Sequence, residues 1–282
     1  MNIIRKVNIR MAVICSLLLA GCSSEEPIRV DGGGVPLNVQ ASITPHTRAS
    51  LGAVAYEKSS FENDDQININ VTSATGTNYK YKYISAEDKW SPVTATDTIK
   101  VTGNTQFDAT YPVNFTSIEA DQRQAGNYLK SNKLIATKTS DANLVSFAFT
   151  PAHAKITLVI TYKDDGVYTG NSAKLTGNYL TGSSSSSDIT LLPLTESGKT
   201  HTYVGIVYPG TKTEYKIVVN ETKGATTASA TTSEHTHKVV NQELKPGYNY
   251  TYNFSSNNNL ILNQVTITAF NKQTETEVND AT

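Results

Sequence analysis

The chain has 282 residues, two cysteines and a formal net charge of −1. This near-neutral balance, with no run of Lys or Arg, offers no basic surface to nucleic acid, so we exclude a nucleic-acid partner. The length exceeds that of a usual single domain and predicts two hydrophobic cores.

The N-terminal segment has the features of an export signal. It has a basic start, an apolar run from Met11 to Ala20, and the tetrad LAGC ending at Cys22. The run is too short for a membrane anchor, which takes about 20 residues, so we predict a signal peptide over residues 1–21. The tetrad resembles the bacterial lipobox, which predicts lipidation of Cys22 and attachment to the outer membrane. The alternative is an ordinary secretory signal, with Cys22 left as a free thiol.

Lipidation has consequences for the exported chain. Cys15 lies within the signal and Cys22 carries the lipid, so the remaining 261 residues (282 minus 21) contain no free thiol. Disulfides, thiolate metal sites and a cysteine nucleophile are therefore excluded. Residues 22–34, with the sequence CSSEEPIRVDGGG, read as a flexible tether and resemble the acidic surface-export signal of Bacteroidota lipoproteins.

The first strand follows the tether and precedes a basic residue. We predict a strand over residues 35–43, followed by Arg48 and then Ala49. One interpretation is a first strand and a first turn. The other is a removable strand, because four large apolar side chains buried at roughly 1.5 to 3 kcal/mol each would contribute about as much as a domain's whole stability. The apolar positions of this strand are Val35, Leu37, Val39, Ala41 and Ile43.

The rest of the chain alternates apolar and polar residues between closely spaced turn residues. Such alternation gives each sheet one solvent-exposed face and one buried face, which is typical of antiparallel β-sandwiches. The predicted fold class is therefore all-β with little helix. In the second domain we expect Tyr250, Tyr252 and Phe254 to face inward. The clearest alternating sets are residues 67–71, 79–83, 156–162, 215–219, 248–254 and 265–269.

Breaks in this alternation suggest the domain organisation. Alternation lapses from Ile118 to Leu134, where we expect a long connection. The Asp-Gly turn chemistry of Lys163–Gly166 indicates a boundary. We therefore predict an N-terminal β-sandwich over residues 35–163 and a C-terminal β-sandwich over residues 164–282.

Candidate catalytic and metal-binding residues are few. His235 and His237 would share one strand face, but a closed metal site needs more ligands and none is evident nearby. His153, at the start of an apolar strand, is more typical of a satisfied, partly buried histidine. Nucleophile, P-loop and dinucleotide motifs are missing from the sequence. We predict neither an enzyme nor a bound metal or cofactor.

In their order and spacing, several segments resemble the fimbrillin family of Bacteroidota, the subunits of type V pili, and the likeness runs from Cys22 almost to the end of the chain. The matching segments are the lipobox, the apolar strand ending in Thr47 and Arg48, the Tyr-rich strand leading to Trp90, ATYP at residues 109–112, VSFAFTPAHAKITLVI around His153, YVGIVYPGTK with Pro209, LKPGYNYTYNF, and the final ITAF, where family members often carry Trp in place of Phe270.

The resemblance implies two tandem transthyretin-like β-sandwich domains and a surface-exposed, lipid-anchored pilus subunit with a role in adhesion. It also implies removal of the first strand by an arginine-specific protease that cuts after Arg48, and assembly with other subunits by donor-strand exchange.

The C-terminal end departs from this family pattern. NKQTETEVNDAT contains only Val278 and Ala281 as apolar candidates, whereas a donor strand should carry several. This departure favours a tip, anchor or accessory position in the pilus over a stalk position. The alternative is that the donor strand comes from LILNQVTITAF. The alternative function is a monomeric surface lipoprotein that binds a glycan or a host protein through exposed aromatic side chains.

Overall fold

Strands dominate the described part of the chain, and the all-β prediction is confirmed. Among these residues, no helix is both long and apolar enough to cross a lipid bilayer. The computed structural model describes residues 34–44, 57–72, 77–101, 103–163, 167–168, 171–224, 231–257, 259–269 and 272–277.

The first nine strands form an N-terminal barrel. Seven of them close into a ring in the order β2-β5-β4-β3-β7-β8-β9, while β1 and β6 pair as a separate short ribbon. A 3-10 helix spans Ala95–Asp97. The strands are β1 (Val35–Pro36), β2 (Asn38–Ile43), β3 (Gln66–Val71), β4 (Asn78–Ile84), β5 (Lys89–Pro92), β6 (Lys100–Val101), β7 (Thr105–Tyr111), β8 (Leu134–Ser140) and β9 (Leu144–Pro151).

Period-two alternation builds the barrel core. Successive side chains of a strand point to opposite faces, so Ile67, Ile69 and Val71 of β3 all face inward and are buried. Tyr81 of β4 is fully buried, and its hydroxyl accepts a hydrogen bond from the Ile99 amide (3.2 Å).

The connection between β7 and β8 packs away from the barrel core. It contains α1 (Ala125–Ser131), and both Tyr128 and Ile118 join the core of the C-terminal half. Gln122 is fully buried and docks the connection onto that half, because its amide donates to the Ile206 carbonyl (2.8 Å) and accepts from the Ile206 amide (2.8 Å).

The last ten strands form a C-terminal sandwich of two sheets. Their orders are β13-β14-β10-β17-β18-β19 and β12-β11-β15-β16. The strands are β10 (Ala154–Tyr162), β11 (Ser172–Asn178), β12 (Ser186–Thr190), β13 (Leu192–Ser197), β14 (Thr200–Val207), β15 (Gly210–Lys223), β16 (Thr231–Leu244), β17 (Tyr248–Ser256), β18 (Leu260–Ala269) and β19 (Lys272–Glu277).

One core joins the two sheets of the sandwich. The predicted inward orientation of Tyr250, Tyr252 and Phe254 is confirmed, since each is 1% exposed. The hydroxyls of Tyr252 on β17 and Tyr215 on β15 hydrogen-bond to each other across the core. This bond satisfies two polar groups that would otherwise be costly to bury.

The structure corrects two details of the sequence prediction. The domain boundary predicted after Lys163 falls too late, because β10 pairs with β14 and β17 and therefore belongs to the sandwich. The change of unit lies between Pro151 and Ala154. Strand pairing is also not purely antiparallel: β2 runs parallel to β9, and β10 runs parallel to β17. These parallel pairs join strands that are distant in sequence. Local alternation of apolar and polar residues does not predict such pairing.

Candidate assembly site

The predicted site residues divide between described and undescribed parts of the chain. The lipidation residue Cys22 and the cleavage residues Arg48 and Ala49 lie outside the described residues. The predicted first strand, Val35–Ile43, lies within them as β1, Leu37 and β2.

One edge of β2 is fully paired with β9. The parallel register runs from Asn38 opposite Leu144 to Ile43 opposite Phe149. Backbone hydrogen bonds close both ends, since the Asn38 amide donates to the Asn143 carbonyl (2.6 Å) and the Thr44 amide donates to the Phe149 carbonyl (3.0 Å). This ladder is the main backbone attachment of β2.

The other edge of β2 is almost unpaired. In the described register, only Val39 pairs with β5, opposite Trp90. A cavity of about 350 Å³ is lined by residues of β2, β4, β5 and β9 near this pair. The strand therefore closes the barrel with a complete backbone ladder to β9 and a single residue pair with β5. The residues that line the cavity are Gln40, Ala41, Ser42, Tyr83, Asp88, Trp90, Ser146 and Phe147.

Three side chains of this segment enter the barrel core. Leu37, Val39 and Ile43 are 6%, 1% and 5% exposed, and the half-buried Ala41 packs against the same cluster. Val35 is 57% exposed, which corrects the expectation of four large buried side chains. It lies in β1 and pairs with Val101 outside the ring, so it adds backbone pairing but little burial.

The burial is large compared with the stability of a domain. Three large apolar side chains at about 1.5 to 3 kcal/mol each contribute about 5 to 9 kcal/mol. Whole domains are stable by about 5 to 15 kcal/mol. The barrel therefore depends on this segment for much of its stability.

The strand that pairs with β2 was not among the residues predicted to form the assembly site. Val145, Phe147 and Phe149 of β9 are almost fully buried and face the same core as β2. Their alternation is visible in the sequence VSFAF and could have predicted the strand. Its parallel partner more than 100 residues earlier could not be predicted from local pattern.

A buried ion pair holds the chain at Glu57, between β2 and β3. The Lys155 ammonium lies 2.6 Å from the Glu57 carboxylate, and the Tyr128 hydroxyl donates to the same oxygen (2.8 Å). Lys155 and Tyr128 are 4% and 0% exposed. Burial, followed by the charge of Glu57, raises the pKa of Tyr128 well above its usual value. Through Lys155 of β10, Glu57 thus attaches the chain between β2 and β3 to the C-terminal sandwich.

The fimbrillin-like family profile matches residues 47–269, which is most of the chain. The chain belongs to the fimbrillin-like family. This is a family of structural and adhesion proteins rather than enzymes, and its members assemble with other pilus subunits at the cell surface. The sequence resemblance is therefore confirmed at the level of the family.

Solved structures resemble this fimbrillin-like protein in fold. A proposed cell adhesion protein from Bacteroides ovatus has 16% identity and a TM-score of 0.59, over 88% of this chain and 100% of that one. A proposed cell adhesion protein from Bacteroides uniformis has 15% identity and a TM-score of 0.54, over 86% of this chain and 99% of that one. A comparison with curated protein sequences finds no significant match. At these identities the likeness shows the fold.

The three histidines considered in the sequence of this fimbrillin-like chain each contact neighbouring protein groups. His153 was predicted to be satisfied and partly buried; its Nδ1 lies 3.0 Å from the Ser131 carbonyl, and at 5% exposure it is more deeply buried than predicted. Burial lowers the pKa of His153 and of His237. His237 lies edge-on to Phe254, and His235 faces Glu221 at 3.4 Å.

Proposed function

We propose that this chain is a structural or accessory pilus subunit that is exported as a lipoprotein through Cys22, cleaved after Arg48, and joined to other subunits by donor-strand exchange. The observation that carries the proposal is the attachment of β2. This strand supplies three buried side chains, yet only one of its two edges has a complete ladder.

Removal of such a strand would prepare the barrel for a partner. Without β2, the backbone edge of β9 would be unpaired and the core positions of Leu37, Val39 and Ile43 would be open. An unpaired edge beside an apolar groove is a template for a strand from another chain. A partner strand with apolar side chains would restore both the backbone ladder and the apolar burial. Cleavage would therefore be the step that allows assembly.

Release of the C-terminal strand β19 would break fewer contacts than release of β18. In the described sheet, β19 pairs only with β18, whereas β18 pairs with both β17 and β19. Release of β19 would break one ladder, but release of β18 would break two and remove Val265 from the core. This difference argues against release of the alternative donor LILNQVTITAF, but β19, with the sequence KQTETE, carries no apolar side chain that could fill the groove left by β2.

The proposed maturation predicts a new N-terminus in assembled fibres. We expect N-terminal sequencing of the subunit recovered from surface fibres to begin at Ala49. An Arg48→Ala variant should accumulate at full length and be depleted from fibres. Arg29 in the tether is the competing site, so a start at Val30 would reject Arg48 as the cleavage residue, and normal assembly of the variant would reject the need for cleavage.

The proposed lipid anchor predicts the location of the precursor. Replacement of Cys22 by Ala removes the thiol that is acylated, and several acyl chains hold a lipoprotein durably. We therefore expect the Cys22→Ala variant to lose lipid labelling and to leave the outer-membrane fraction. The matched control is Cys15→Ala, which removes a thiol within the signal and should change neither readout. Unchanged membrane retention of Cys22→Ala would contradict lipid anchoring.

A further inference from the structure

A second cavity lies in the C-terminal sandwich, far along the chain from β2. It has a volume of about 450 Å³ and lies where the end of β11 meets the first half of β15, around the pair Gly177 opposite Tyr215. This volume is within the range of about 300 to 1,000 Å³ that is usual for ligand sites. We call it the sandwich cavity. It is lined by Thr176, Gly177, Asn178, Tyr179, Ser186, Thr211, Lys212, Thr213, Glu214, Tyr215 and Lys216.

The sandwich cavity has a buried cation in its wall. Lys212 is 3% exposed, and within the described residues its ammonium makes one hydrogen bond, to the Pro209 carbonyl (3.1 Å). The ammonium has three donors, and besides this carbonyl it lies 5.9 Å from the centre of the Tyr208 ring, a cation–π contact. No described carboxylate lies within ion-pair distance of it, and burial lowers the pKa of Lys212. A buried charge of this kind is costly unless it is compensated.

The charges around the cavity favour an anion. Lys212 and Lys216 bring two positive charges to the lining, and Glu214 brings one negative charge. The Glu214 carboxylate is already paired with the Lys238 ammonium at 2.7 Å. The lining therefore has an excess of positive charge, which attracts anionic ligands.

The remaining lining groups suit a sugar. Hydroxyl and amide groups come from neighbouring strands and can hydrogen-bond sugar hydroxyls. Tyr179 is 51% exposed and has a φ of 60°, a left-handed conformation that costs a bulky residue energy and is often found at functional sites. An exposed tyrosine ring offers an apolar face on which a sugar ring can pack.

We propose that the sandwich cavity binds an acidic sugar residue of a glycan, with its carboxylate at Lys212 and its ring against Tyr179. The carboxylate would add a charge-assisted hydrogen bond to the buried ammonium, which otherwise contacts only a neutral carbonyl and an aromatic ring among the described residues, and the lining hydroxyls would bind the sugar hydroxyls. The inference does not depend on strand exchange, because both the cavity and its lysine lie outside the barrel.

The test is titration calorimetry on the purified exported chain with two acidic probes, trigalacturonate and 3′-sialyllactose. Maltotriose and lactose are the neutral counterparts. We expect one acidic probe to bind, and its identity distinguishes a uronic acid from a sialic acid. Binding should weaken as salt concentration rises. Failure of both acidic probes, or equal binding of the neutral sugars, would overturn the proposal.

Two variants locate the binding. Lys212→Met keeps an apolar stem but removes the charge, and it should lower affinity at least about tenfold, which corresponds to 1.4 kcal/mol. In Tyr179→Asn the new side chain tolerates the left-handed backbone, and the loss of the ring should lower affinity about fivefold. Because Tyr179 is exposed, this variant leaves the core unchanged. Lys82→Met, the same charge change on the barrel strand β4, is the control. Wild-type affinity in Tyr179→Asn and in a folded Lys212→Met protein would reject the site.

Discussion

Cleavage of the purified precursor after Arg48 is expected to lower its melting temperature by at least about 10 °C and to convert monomers into oligomers. While the chain is intact, the connection from β2 to Glu57 keeps the strand at a high effective concentration beside its groove. Once the connection is cut, β2 can dissociate, and the barrel loses about 5 to 9 kcal/mol of apolar burial together with the ladder to β9.

The measurement is an arginine-specific protease digest followed by thermal melting and by size-exclusion chromatography. The control is Arg48→Ala, which retains Arg29 in the tether and should behave like the uncut precursor. A cut protein that remains monomeric and melts where the precursor did would reject strand removal as the basis of assembly.

A peptide can test whether the groove itself is responsible. A synthetic peptide of residues 35–44, VPLNVQASIT, should restore the melting temperature of the cut protein and suppress oligomers. The matched control peptide carries Val39→Asp, which places a charge at the most deeply buried position of β2. Equal rescue by both peptides would show that β2 does not rebind through its apolar face.

Neutralisation of Glu57 is expected to be the most destabilising single polar substitution beside the assembly site. Glu57→Gln keeps the side-chain volume but removes the carboxylate that balances the buried Lys155 ammonium. Loss of one partner of a buried pair costs about 3 to 5 kcal/mol. We expect a loss of about 3 kcal/mol in the free energy of unfolding, measured by urea titration of the intact chain.

Two comparisons show whether burial causes this effect. Asp64→Asn breaks the exposed pair with Lys82 (3.0 Å) at a residue whose left-handed backbone Asn tolerates, and it should cost no more than about 1 kcal/mol. Adding Lys155→Met to Glu57→Gln removes the buried charge and should recover much of the loss. Similar losses for the exposed and the buried pair would contradict a special role for Glu57.

Local pattern was enough to predict much of the fold. Alternation at Ile67, Ile69 and Val71, and again at Tyr250, Tyr252 and Phe254, correctly predicted which side chains are buried, because side-chain direction in a strand depends only on the neighbouring backbone. The same rule failed at Val35, since this residue alternates correctly but lies where the segment has left the core. Alternation predicts the face of a strand, not whether another layer covers that face.

The all-β class, the family and the candidate assembly strand could all be predicted from the sequence, because composition, strand period and short motifs are local properties. Four relations became visible only in the folded chain: β2 lies parallel to β9, β10 belongs to the sandwich, Glu57 pairs with Lys155, and Lys212 lines a cavity. These relations join residues that are far apart or that gain their environment from other strands. Their energies depend on pairing and desolvation, which exist only after the sheets have assembled.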